Sequence, residues 1–178
     1  MLSGVPHALR AFMLWNLYLA AIPTVLAVVL FRRPTRTGPV WWLVFGTWLI
    51  FLPNAPYVLT DVVHMFDDLR GAHSLARVLA VLVMYALFAA AGLASYATSM
   101  QLFRRFLHRV APGRFVAPIL VTVHGLCVVA MGLGRIVRLN SWDVVIAPRS
   151  VLASVARVPH PSTVVLLATT FVVVGVGT

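Results

Sequence analysis

The chain has four carboxylates, all aspartates, and they fall in two short blocks: Asp61, Asp67 and Asp68 in the first, Asp143 in the second. The first block runs Pro53-Asn54-Ala55-Pro56-Tyr57-Val58-Leu59-Thr60-Asp61-Val62-Val63-His64-Met65-Phe66-Asp67-Asp68. Read as a helix, it places Asn54, Tyr57, Asp61, His64 and Asp68 at steps of three and four, on one face. Apolar residues fill the rest. The second block, Gly132 to Asp143, holds Arg135 and Arg138 three apart, followed by Asn140, Ser141, Trp142 and Asp143.

Three kinds of chemistry fit these residues. In the first, Arg135 and Arg138 offer guanidinium forks to an anion such as a phosphate headgroup. A half-helix beginning at Asn54 would add the positive end of its dipole. In the second, Asp61 and His64 act as base and orienter on a lipid or lipid-linked substrate, with Asp143 as a third group. In the third, Asp61 and Asp143 pair with Arg135 and Arg138, and Asn54 and Asn140 satisfy backbone groups freed at a helix break. That network would only lock helices together. A metal version of the second reading is weak, because no further histidine follows at ligand spacing. The sequence holds no G-x-S-x-G, Walker or H-E-x-x-H motif, and Ser141 has no neighbouring histidine to activate it. No metal and no cofactor is expected.

The elements that position these blocks are membrane spans. Hydrophobic residues make up 61% of the 178, charged residues only 10%, and the mean hydropathy is +0.97. Soluble domains carry roughly 25% charged residues. Expected spans are 11–30, a second of 40–52 continued by a 56–68 helix, then 75–100, 116–133 and 163–177, all in one polytopic domain. A span needs about 20 apolar residues, so the last is short. Asn16 in the first is expected to face another helix as packing glue. Pro53 and Pro56 interrupt the second. Each disfavours helix in the residue before it, so Leu52 and Ala55 are expected to be non-helical, with Asn54 capping the new start. Two arrangements fit, a kinked continuous helix or a broken one followed by an amphipathic helix; the broken helix is preferred. His124 is expected to pack inside span four, and Cys127, the only cysteine, to be core filler.

All 14 basic residues are arginines, against four acids, for a formal net charge of +10. They are scattered between apolar spans with no basic face on a soluble domain, which argues against nucleic acid and for anchorage at anionic headgroups. In a five-span order the loops after spans two and four share a side, so the two blocks meet on one face. Arginine counts tie at seven a side, and setting aside Arg135 and Arg138 as site residues puts that face outside.

Two patterns carry a resemblance: W-x-x-F-L-P-N-A-P-Y-x-x-T-D-x-x-H from Trp48 to His64, and G-R-x-x-R-x-N-S-W-D-V from Gly134 to Val144. Together they resemble a family of bacterial multi-span membrane proteins known only as a domain of unknown function. The resemblance implies several membrane helices and brings no activity, substrate or cofactor. The expectation is therefore an all-α integral protein of the inner cell membrane, with membrane lipids as its partners. Asn54, Tyr57, Asp61, His64, Arg135, Arg138, Asn140, Trp142 and Asp143 would line a site for an anionic headgroup or small anion.

Overall fold

The computed structural model describes residues 7–32 and 37–136, with Ile146 and Arg149; the side chains of 7–10, 62, 63 and 133–136 fall outside that description. Six α-helices and one 3-10 turn make up the described chain: α1 His7–Phe31, α2 Pro39–Phe51, α3 Asn54–Tyr57, the 3-10 turn Val58–Asp61, α4 Val62–Arg70, α5 Leu75–Val110 and α6 Gly113–Ile136. Among the described residues, four stretches are long and apolar enough to cross a membrane: Ala11–Phe31, Pro39–Arg70, Leu75–Val110 and Gly113–Gly132. The protein is an all-α, multi-pass membrane protein. The expected span at 163–177 lies outside the described residues.

The helices are longer than apolar runs alone suggest. α5 extends through Arg104, Arg105 and Arg109, because arginine is a good helix former and snorkels readily to the headgroups. Its 36 residues measure about 54 Å, well beyond a hydrocarbon core of roughly 30 Å. Ser74 starts it by accepting the Arg77 N–H at 3.3 Å.

α1 and α5 form the centre, and α2, α3 and α4 pack around them. Hydroxyls fix the α1–α5 seam. Ser95 Oγ donates to the Ala20 carbonyl at 2.6 Å, and Ser99 Oγ to the Pro23 carbonyl at 3.3 Å. Thr24 Oγ1 donates to the Ser95 carbonyl at 2.8 Å. Ser95 lies opposite Ala20 and Thr24, and Arg109, further along α5, bonds the carbonyl of Phe31 at the end of α1, so α1 and α5 run parallel. Trp48 Nε1 donates to Ser99 Oγ at 2.8 Å, and Asp68 meets Tyr85, so the α2–α4 path runs antiparallel to α5. Phe31 sits inside an aromatic cluster with Trp41, Phe45, Trp48, Phe103 and Phe106, at centroid distances of 5.0–6.5 Å. Trp48 and Trp41 thus serve packing, while Trp42 is exposed.

The interruption falls where expected, between α2 and α3, but its local geometry differs. Leu52 is right-handed helical at φ −53°, ψ −40°, and Pro53 at φ −63°, ψ −20°. Backbone bonds across the break account for this. Pro56 has no N–H for the Leu52 carbonyl, and the Ala55 N–H takes that carbonyl instead, at 3.3 Å. The shift would strand the Phe51 carbonyl, and Asn54 Nδ2 donates to it at 3.1 Å. Asn54 therefore closes the end of α2 rather than capping the start of α3. The chain distorts through a 3-10 turn and stays on one helical path.

Gly92 makes room for this distortion. A Cβ placed on it would lie 2.6 Å from the Ala55 carbonyl oxygen and 3.0 Å from Val58 Cβ. Only a residue without a side chain lets α5 approach the break so closely.

Candidate functional site

Asp61 ends the 3-10 turn with helical dihedrals, φ −77° and ψ −4°, and its side chain makes no cap to α4. It turns to α1, where Asn16 Nδ2 donates to Oδ2 at 2.8 Å. Asp61 is 1% exposed. Asn16 lies about 8 Å along its helix from Ala11, the start of the first span, so the carboxylate sits at membrane depth. A charge at the centre of a bilayer costs about 2.5–3.5 kcal/mol on insertion scales. That cost is why such a group is held by a partner on a neighbouring helix.

The remaining first-block residues divide by depth. His64, half-buried, places its ring edge-on to Phe12 of α1, at 5.5 Å and 78°. Asp68 accepts from the Tyr85 hydroxyl of α5 at 2.9 Å. Thr60 Oγ1 donates to the Tyr57 carbonyl at 2.7 Å, and Tyr57 itself is half-buried. Asp67 is exposed and bridges Arg70 at 3.0 Å; a solvent-exposed pair of this kind contributes little. The stripe expected on one helical face is thus turned into the bundle, against α1 and α5.

The described start of the second block, as far as Ile136, belongs to α6. Tyr96 Oη and His124 Nδ1 are hydrogen-bonded at 2.7 Å, and with only Ala111 and Pro112 between the two helices this makes α6 antiparallel to α5. Equal numbers of residues separate Tyr96 from Tyr85 and His124 from Arg135, about 16 Å along each helix. The backbone of Arg135, in the last turn of α6, therefore reaches the level of the Tyr85–Asp68 bond. The Arg135 side chain lies outside the described residues, as do Arg138, Asn140, Trp142 and Asp143. His124 and the buried Cys127 belong to the α5–α6 seam, far from this end.

The half-helix argument for anion binding does not survive the geometry. α3 has four residues, and its Ala55 and Tyr57 N–H groups already donate to the Leu52 and Pro53 carbonyls. Any positive charge for an anion must come from arginine. Among the described residues, no group of three or more His, Cys, Asp or Glu side chains could hold a metal ion.

Three residues of this region were not named as site residues from sequence. Asn16 was visible as an amide inside an apolar span, without its partner. Tyr85 and Gly92 carry no local signal, because their roles depend on which helix lies opposite.

A family model described as a protein of unknown function (DUF1361) matches residues 15–176. No curated protein and no solved structure matches the chain.

Proposed function

For a chain that belongs to the DUF1361 family of membrane proteins, we propose that the aspartate-bearing end of the bundle binds an anionic lipid headgroup or a small anion. Arg135 and Arg138 supply the positive charge, Asn140, Trp142 and Asp143 complete the second wall, and the half-exposed Tyr57 and His64 line the first. Asn54 and Asp61 hold that first wall in shape. One observation supports this reading: α2–α4 and α6 run in the same direction, so the Asn54–Asp68 stripe and the backbone of Arg135 lie towards one end. Arg32, Arg104, Arg105, Arg109 and Arg114 occupy the opposite end. By the bias of arginine towards the cytoplasm, the site faces outward from an inner cell membrane.

A ligand that binds only the folded protein raises its stability, by about 2.7 kcal/mol at a hundredfold excess over Kd. In a protein of this size that is a rise of about 5–10 °C in Tm. The test is a melting screen in nanodiscs against phospholipids, lipid-linked sugars and inorganic phosphate, with Arg138→Ala in parallel. A rise with one anionic class, lost in Arg138→Ala, is the expected result. Equal melting with every ligand overturns the proposal.

The Asn16–Asp61 bond favours a second reading, in which the polar blocks only lock helices. It is distinguished by Arg138→Ala unfolding in the absence of any ligand. An enzyme acting through Asp61, His64 and Asp143 would instead turn over a lipid-linked substrate in the same nanodiscs.

A further inference from the structure

The end of the bundle opposite the aspartates carries Arg32, Arg104, Arg105, His108, Arg109 and Arg114, all exposed, and no carboxylate among its described residues. Arg109 donates through Nη2 to the carbonyl of Phe31, the last residue of α1. Positive charge is favoured at a helix C-terminus, and this bond uses only part of a five-donor fork. Arg32 continues the same helical path, its N–H donating to the Val28 carbonyl at 3.3 Å. It follows Val29, Val28 and Val25 by three, four and seven residues, so the four side chains share one face. All three valines are exposed. An apolar track about 11 Å long thus leads to Arg32, and Arg109 is bonded to the carbonyl of the residue before it.

We propose that this end of α1 holds one anionic phospholipid, its phosphate between Arg32 and Arg109 and an acyl chain along Val29, Val28 and Val25. A free phosphate would use the guanidinium groups alone. The track of valines leading to them fits a lipid. Bidentate, charge-assisted bonds from arginine to phosphate oxygens supply the affinity. Arg104, Arg105 and Arg114 add a positive field that draws anionic headgroups to the same leaflet. Arg114 lies over the Phe115 ring, 4.9 Å from its centroid, at the start of α6. This site stands apart from the one at the aspartate end and does not depend on it.

The test is native mass spectrometry of the full chain in detergent, with phosphatidylglycerol or phosphatidylcholine added, and Arg32→Ala, Arg32→Lys and Arg138→Ala compared. Arg32 is exposed, and its hydrogen bond to Val28 runs through the backbone N–H, which both variants keep. The phosphatidylglycerol held at this end is expected to weaken about tenfold in Arg32→Ala and to be largely kept in Arg32→Lys, whereas Arg138→Ala removes only lipid bound at the aspartate end. Phosphatidylglycerol carrying a photoreactive acyl chain should label the peptide containing Val25, Val28 and Val29. Equal retention of phosphatidylcholine, full binding by Arg32→Ala, or labelling confined to other helices would each overturn the proposal. Displacement by inorganic phosphate would reassign the site to the headgroup anion alone. Loss of the same lipid in Arg138→Ala would move it to the other end, an outcome separate from the melting screen.

Discussion

At Asp61 the question is whether the protein needs the charge or only the hydrogen bond. Asn16 Nδ2 donates to its Oδ2 at 2.8 Å, and a hydrogen bond to a charged group contributes roughly 1.5–3 kcal/mol. Asn16→Ala removes the donor and leaves the carboxylate at membrane depth, so it should lower Tm by about 4–8 °C in detergent. Asp61→Asn keeps an oxygen acceptor for Asn16 and removes the cost of burying a charge. It should melt closer to the native protein than Asn16→Ala does. If Asp61→Asn is the more damaging of the two, a cation pairs with that carboxylate and the helix-locking reading gains. Asp61 was legible in the sequence because a carboxylate in a mostly apolar stretch is conspicuous. Its partner was not, since an asparagine forty-five positions away is chosen by helix packing and leaves no local mark.

At the scale of elements, the α2–α4 path shows how far proline rules reach. Two prolines three apart marked the right place for a distortion, and the polar stripe beyond them was found by spacing alone. The rules expected the chain to leave the helix there. It stays, because the Ala55 N–H and the Asn54 amide refill the carbonyls that the break disturbs. Two anchors then fix the distorted segment to α5. The first is Gly92, where a methyl group would meet the Ala55 carbonyl oxygen at 2.6 Å. Alanine is favoured over glycine in a helix by about 1 kcal/mol, but overpacking against backbone costs typically 1–3 kcal/mol. Gly92→Ala should therefore destabilise the protein, and a Tm at or above the native value would show that α5 stands further off. The second anchor is the Tyr85 hydroxyl on Asp68. Tyr85→Phe should speed amide hydrogen exchange in Val62–Arg70 while leaving the Thr24–Ser95 seam protected. Uniform acceleration across α1 and α5 would mean that α4 is not a separately anchored unit.

The whole molecule is polarised, and that polarity was only half readable. Charge counting by loop tied, because Arg135 and Arg138 were scored beside arginines of ordinary loops. The helix directions separate the described charges: Asp61, Asp67 and Asp68 lie towards one end, and Arg32, Arg104, Arg105, Arg109 and Arg114 towards the other. Arg70 and Arg77 share the acidic end, and Arg70 is paired with Asp67 at 3.0 Å. An arginine-rich end with no acid among its described residues is expected on the cytoplasmic side, where the anionic leaflet would also attract it. Cys127, the single cysteine of the chain, is buried and can be replaced by alanine to give a background without thiols. In that background Arg70→Cys and Arg105→Cys place one exposed thiol at each end. A membrane-impermeant maleimide should label Arg70→Cys in sealed right-side-out vesicles and Arg105→Cys only in inverted ones. The reverse pattern would turn the aspartate end towards the cytoplasm, so that any headgroup or anion bound there would come from the inner side. Labelling of both from one side would mean that α5 does not carry the chain across, and would remove the two-ended frame on which the proposed site of Arg135, Arg138 and the Asn54–Asp68 stripe rests.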